Sequence, residues 1–201
     1  MEPVPGPAGD AGVVIPIRAF RSGKARLADA LDEDQRAALA LRMAERVVAA
    51  AGALPLTVVS SDAEVQAWAR AAGLGVLADP GRGLDAAAAA GRDHHRALGR
   101  RRVIVAHADL PHAPPGGLAR FATVPAGVVA LVPCHRDDGT PVLSVPVDPE
   151  FPFAYGPGSA RRHAATARGL GLATLVVRDA ALGYDVDVPA DLDAFDPLPM
   201  P

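Results

Sequence analysis

Short runs of Val, Ile and Leu alternate along this chain with longer Ala-rich stretches whose apolar residues recur every three to four positions. A strand covered on both faces is apolar throughout, whereas a helix that covers it is apolar on one side. The alternation therefore predicts crossover units on a mainly parallel sheet. Residues 13–17 read as the first strand. Residues 34–51 bring Leu39, Met43, Val47 and Ala50 onto one face, which makes a core-facing helix. A strand at 56–60 follows, then a helix to Ala72 that Asp62 can cap, and a short strand at 75–77. After a helix over 84–98, residues 102–106 form a strand ending in His107-Ala108-Asp109-Leu110-Pro111. Ligands should gather at that carboxyl edge.

The second half departs from this pattern. Apolar runs at 128–133 and 141–145 flank the turn-like His135-Arg136-Asp137-Asp138-Gly139-Thr140, which predicts a hairpin and hence a mixed sheet. A helix over 156–169 opens on Gly156-Pro157-Gly158-Ser159. A strand at 172–177 follows, then an alternating strand-like stretch at 184–188 and a last turn of helix at 189–195. The expectation is a single α/β domain over 1–201, with flexible Pro-rich ends at about 1–11 and 196–201.

Charge and composition narrow the partners. Twenty basic against 23 acidic residues give a net charge of -3 without any basic tract, which argues against nucleic acid and anionic membranes. The first twelve residues lack the pattern of a secretory signal, and no apolar run approaches the roughly 20 residues of a membrane span, so a cytoplasmic location is expected. The lone Cys134 excludes an intramolecular disulfide and reads as a small buried hydrophobe. Of the basic residues 19 are Arg, and Lys24 is the one lysine, which invites a reason for it.

Four groups of residues could carry chemistry. Residues 14–27 run from a buried strand into the basic loop Arg18, Arg21, Lys24, Arg26. This is either a solvated loop or a place for a triphosphate. It is not a P-loop, because Arg18 stands where that motif needs Gly and Ala25 where it needs Ser or Thr. Asp109 ends a strand, and Asp185 and Asp187 flank Val186. Capping and turn formation would explain the Asp-x-Asp, but with Asp109 it also suits a magnesium ion that fills its shell with water and phosphate oxygens. Gly156-Pro157-Gly158-Ser159 is either ordinary helix initiation or an anion site at a helix start. Asp79-Pro80-Gly81-Arg82-Gly83-Leu84-Asp85 is a turn entering a helix, whose amides and carboxylate could read a base edge. His94 and His95 are placed on a solvent-facing helix, and no histidine pair has ligand spacing.

Taken in order, these segments resemble the CofC/FbiD family along nearly the whole chain. The resemblance is carried by Ile15-Pro16 through Gly23-Lys24-Ala25-Arg26-Leu27, Asp79-Pro80 to Asp85, His107-Ala108-Asp109-Leu110-Pro111 and Asp138-Gly139-Thr140. It continues in Tyr155-Gly156-Pro157-Gly158-Ser159 with His163, and in Asp185-Val186-Asp187-Val188-Pro189-Ala190-Asp191-Leu192. It implies a three-layer α/β sandwich of the nucleotide-diphospho-sugar transferase fold, like that of molybdenum-cofactor guanylyltransferases. It also implies 2-phospho-L-lactate or phosphoenolpyruvate guanylyltransferase activity in deazaflavin coenzyme (F-420) biosynthesis.

The residue roles come from the same resemblance. Pro16, Arg18, Lys24, Arg26, Gly83, Asp85 and Asp109 would bind GTP, with Lys24, Asp109 and Asp187 catalytic. Asp109, Asp185 and Asp187 would hold Mg²⁺, and Thr140, Gly156 and Ser159 would hold the phosphorylated three-carbon acid. Partners are thus GTP and that acid, with a homodimer left open. Arg18, Asp85 and Pro141 depart from the residues relatives commonly carry. Asp85 bears on base preference, since a carboxylate only accepts hydrogen bonds where Asn also donates. Two alternatives stay open, a transferase of this fold acting on a sugar phosphate or pterin cofactor, and a non-catalytic nucleotide-binding paralogue.

Overall fold

The structure is a computed structural model that describes residues 10–21 and 24–193. The expected flexible ends fall mostly on residues outside that range, as do Ser22, Gly23 and the final residues of the helix expected at 189–195. Ala11 is not part of a loose end, since it is fully buried and opens the first strand.

The strands are β1 (Ala11–Pro16), β2 (Leu56–Val59), β3 (Gly75–Leu77), β4 (Arg102–Ala106), β5 (Val128–Val132), β6 (Val142–Pro146) and β7 (Ala173–Val176). The helices are α1 (Glu33–Ala51), α2 (Ala63–Ala71), α3 (Leu84–Ala97), α4 (Ala119–Ala122), α5 (Ser159–Gly169) and α6 (Ala190–Asp193). The sheet order is β3-β2-β1-β4-β6-β5-β7. Only β6 runs against its neighbours, pairing antiparallel with β4 and with β5 (Leu131 opposite Leu143), as the hairpin reading requires.

Alternate side chains of the central strands feed two cores. Val13, Ile15, Val58 and Ile104 pack against Val47, Ala50, Val65 and Phe121 of α1, α2 and α4. Val14, Val59, Val103 and Val105 pack against Ala87, Ala88, Ala160 and Ala167 of α3 and α5. The result is the expected helix–sheet–helix sandwich. Local signals set the helix starts: Asp62 Oδ1 accepts the Val65 N–H at 2.9 Å, and Asp32 and Gln35 close a reciprocal capping box on α1. Among the described residues no helix is long and apolar enough to cross a membrane.

Two expectations need correction. Residues 184–188 join no ladder, because Asp191 Oδ2 accepts the backbone N–H of Asp187 at 2.7 Å and of Val188 at 2.8 Å. Val186 instead anchors the segment in a small cluster with Leu27, Leu39 and Met43. His95 is buried rather than solvent-facing. Its ring lies over Gly12 of β1, where a Cβ would stand 2.1 Å from Nδ1, and its Nε2 is 3.2 Å from the Val13 carbonyl. Burial there pushes its pKa down.

Candidate active site

The carboxyl ends of β1 and β4 open into a cleft of about 730 Å³. Its wall includes Pro16, Arg18, Lys24, Arg26, Asp109, Thr140, Gly156, Ser159, Asp185 and Asp187, ten of the residues the sequence nominated. It also includes His107, Cys134, Arg136, Asp138 and Tyr155, which were not nominated. Cys134 is buried as expected, yet it has a second use, since its Sγ accepts the Gly139 N–H at 3.0 Å and shapes the loop before Thr140.

Lys24 is held between two apolar anchors. Before it, Phe20 packs edge-on to Trp68 with ring centres 5.4 Å apart; after it, a single 3-10 turn (Ala25–Leu27) buries Leu27. Lys24 itself takes a left-handed backbone conformation (φ 56°), unusual for a residue with a side chain. That turn sends its ammonium into the carboxylates. Nζ lies 2.5 Å from Asp109 Oδ2, 2.5 Å from the Val186 carbonyl and 3.4 Å from Asp187 Oδ1. Burial by itself would push the ammonium down, but Asp109 and then Asp187 outweigh it and hold the pKa above the ordinary lysine value. Asp109 answers in kind: burial raises it, while Lys24 and His107 more than offset this and keep it below the ordinary carboxyl value. Asp185 shifts the other way, raised by burial and by the charges of Asp109 and Asp187.

The three aspartates expected to hold Mg²⁺ thus face one place together with Lys24. Among the described residues no three His, Cys, Asp or Glu side chains are gathered so as to hold a metal by themselves. The donor set nonetheless fits a divalent cation shared with phosphate oxygens. Asp109 Oδ1 and Asp185 Oδ1 are buried carboxylate oxygens without a hydrogen bond, and the second has His135 Nδ1 at 3.3 Å and Arg136 Nη1 at 3.9 Å.

The other end of the cleft is built differently. Gly156 (φ 103°) and Gly158 (φ 72°) give Pro157 a turn that side-chain-bearing residues would strain. Three side chains pin that turn. Asp85 Oδ1 accepts the Tyr155 N–H at 2.6 Å, Asp138 Oδ1 accepts the Gly158 N–H at 2.5 Å, and Arg162 donates to the carbonyls of Ala154, Tyr155 and Pro157. The amide of Gly158, part of the expected helix-start anion site, is therefore already taken by a carboxylate. Beneath the turn Thr140 Oγ1 lies 2.8 Å from Ser159 Oγ and 3.1 Å from His163 Nδ1, all three residues being buried.

Gly83 and Asp85 do not reach the cleft wall, although Leu84 between them does. Gly83 (φ 87°) serves the backbone turn that starts α3, and the Asp85 carboxylate is spent on Tyr155. Sequence reasoning quoted the segments of His107, Asp138 and Tyr155 without selecting those residues. Their positions beside Asp109, Thr140 and Gly156 were the available signal.

The sequence matches the guanylyl transferase CofC-like family over residues 11–195. This chain belongs to that family. Curated relatives include the phosphoenolpyruvate guanylyltransferase of Sphaerobacter thermophilus, 34% identical over 90% of this chain and 89% of its own. That of Streptomyces coelicolor is 38% identical over 77% of this chain and 76% of its own. Among solved structures, a chain from Desulfovibrio desulfuricans G20 described as a nucleotide-diphospho-sugar transferase superposes with a TM-score of 0.75 at 18% identity, covering 92% of this chain and 86% of that one. A Methanothermobacter nucleotidyl transferase gives 0.62 at 17% identity, covering 92% and 96%. These likenesses bear out the nucleotide-diphospho-sugar transferase fold. As a CofC-like guanylyl transferase the chain is a nucleotidyltransferase.

Proposed function

We propose that this CofC-like chain transfers GMP from GTP to phosphoenolpyruvate, or to the closely similar 2-phospho-L-lactate, in F-420 biosynthesis. The carrying observation is one cleft with two differently built ends, an ammonium among three carboxylates and a hydroxyl–imidazole chain beneath a pinned Gly-Pro-Gly turn. The relatives known as phosphoenolpyruvate guanylyltransferases support the same acceptor.

The reaction asks little covalent chemistry of the protein. An oxygen of the acceptor phosphate bonds to the α-phosphorus of GTP, the bond from that phosphorus to the bridging oxygen breaks, and pyrophosphate leaves with the electron pair. No general base is needed, since a phosphate monoester with a second pKa of about 6 is already largely dianionic at neutral pH. Lys24, Arg18 and Arg26 supply positive charge to the triphosphate. Asp109 and Asp185, with Asp187, would hold Mg²⁺, which when bound neutralises phosphate charge. Thr140, Ser159 and the 155–158 turn position the acid. In incubations with GTP, Mg²⁺ and each acid in turn, mass analysis is expected to find a guanylylated product. No product with any acid would end this reading.

Asp85→Asn is expected to leave the preference for GTP over ATP within about twofold, because the amide oxygen of Asn can accept the Tyr155 N–H as the carboxylate does. The ratio of kcat/KM values for the two nucleotides checks this. A tenfold change would return Asp85 to base recognition.

A further inference from the structure

The buried group beneath the acceptor turn has a direction. Ala154 N–H lies 3.0 Å from His163 Nε2, and a backbone amide can only donate, so Nε2 carries no hydrogen. The neutral imidazole then bears its hydrogen on Nδ1 and donates it to Thr140 Oγ1 at 3.1 Å. Burial first, then the charges of Arg162 and His107, pushes the His163 pKa down to about 4, so the ring is neutral at physiological pH. Thr140 is fully buried, and Ser159 Oγ, 2.8 Å away, is the acceptor for its one hydrogen. That leaves the Ser159 hydroxyl hydrogen to be donated to what occupies the cleft, whose wall Ser159 forms.

Resting on the acceptor reading above, we propose that His163 is a positioning residue for the phosphorylated acid, fixing Ser159 through Thr140 as a donor to that anion. His163 touches no substrate. With the other tautomer the chain would reverse, and Ser159 would face the anion with a lone pair. Ser159 and His163 sit four residues apart on α5, so one helical face presents the hydroxyl and its orienting ring together.

The test uses the whole enzyme with GTP and phosphoenolpyruvate. His163→Phe keeps a ring of similar shape and removes both nitrogens, and it is expected to raise KM for the acid by roughly ten- to a hundredfold while KM for GTP stays within twofold. His163→Asn places an amide N–H where Nδ1–H stood and should recover most of that loss. A residue that only supports the fold would lower kcat through loss of active enzyme and leave both KM values alone. An unchanged KM for the acid in His163→Phe overturns the proposal. Should that variant not fold, the ¹⁵N spectrum of the wild-type imidazole decides it: hydrogen on Nδ1 supports the relay, and hydrogen on Nε2 overturns it. Failure of the wild type to guanylylate any phosphorylated acid would sink the acceptor reading instead, and the tautomer measurement tells the two failures apart.

Discussion

Lys24→Ala is expected to lower kcat/KM for GTP by roughly 10²–10³-fold, the usual loss when one preorganised electrostatic contact to a reacting phosphate is removed. The same substitution should cost stability. It leaves Asp109, which pairs with Nζ at 2.5 Å, facing Asp187 and Asp185 without the cation that balances them. For a fully buried pair this costs several kcal/mol. Asp109 is 22% exposed and can take up a proton, so on the order of 2 kcal/mol is expected, or roughly 4–8 °C in Tm. Added millimolar Mg²⁺ should recover part of that shift, because it replaces the lost charge. The pH dependence follows from the pair. Asp109 is held below its ordinary 3.8, so its contribution is complete above that pH and is lost on further acidification. Lys24 is held above its ordinary 10.5, so its contribution is complete below that pH and is lost on further alkalinisation. The difference between wild type and Lys24→Ala should therefore be flat from the pH at which the unpaired Asp109 of the variant is fully ionised, a point that burial moves above its ordinary 3.8, up to about pH 10, and shrink on either side. Undiminished GTP turnover would remove Lys24 from the site.

The element order and the hairpin were legible because each depends on local pattern, apolar runs for strands and spacing for helices, whereas the ten cleft residues were picked out by the order of motifs that the chain shares with its family. What stayed hidden was created by folding. Lys24 and Asp109 meet across 85 positions, and nothing in either segment says that the ammonium seeks the carboxylate directly. The Ser159–Thr140–His163 chain likewise joins α5, the loop before β6 and the backbone of a third stretch, with only the four-residue spacing of Ser159 and His163 as a clue. His95 was misread because the gap that receives it is the missing side chain of Gly12, on another strand. The stretch at 184–188 alternates like a strand, but Asp191, only a few residues on, captures its amides before a ladder can.

Asp109→Asn is expected to be the most damaging of the aspartate substitutions, with kcat/KM for GTP falling by roughly 10³-fold, against about tenfold for Asp187→Asn. Burial sets the order. Asp109 contacts Lys24 at 2.5 Å and keeps a second oxygen buried without a hydrogen bond, whereas Asp187 is 43% exposed and stands 3.4 Å from Nζ. Water screens the second contact far more than the first. Asn preserves the shape of Asp109 and one of its oxygens, so the loss reports charge rather than packing, and circular dichroism should show an unchanged fold. A further effect separates the two variants. Without Asp109, burial dominates at Lys24 and draws its pKa down, so the alkaline limb of the rate profile should move to lower pH in Asp109→Asn and hardly at all in Asp187→Asn. Equal losses in the two variants would show that Asp109 is not the anchor of the site. Unchanged GTP turnover in both would mean that the aspartates do not hold a metal at all.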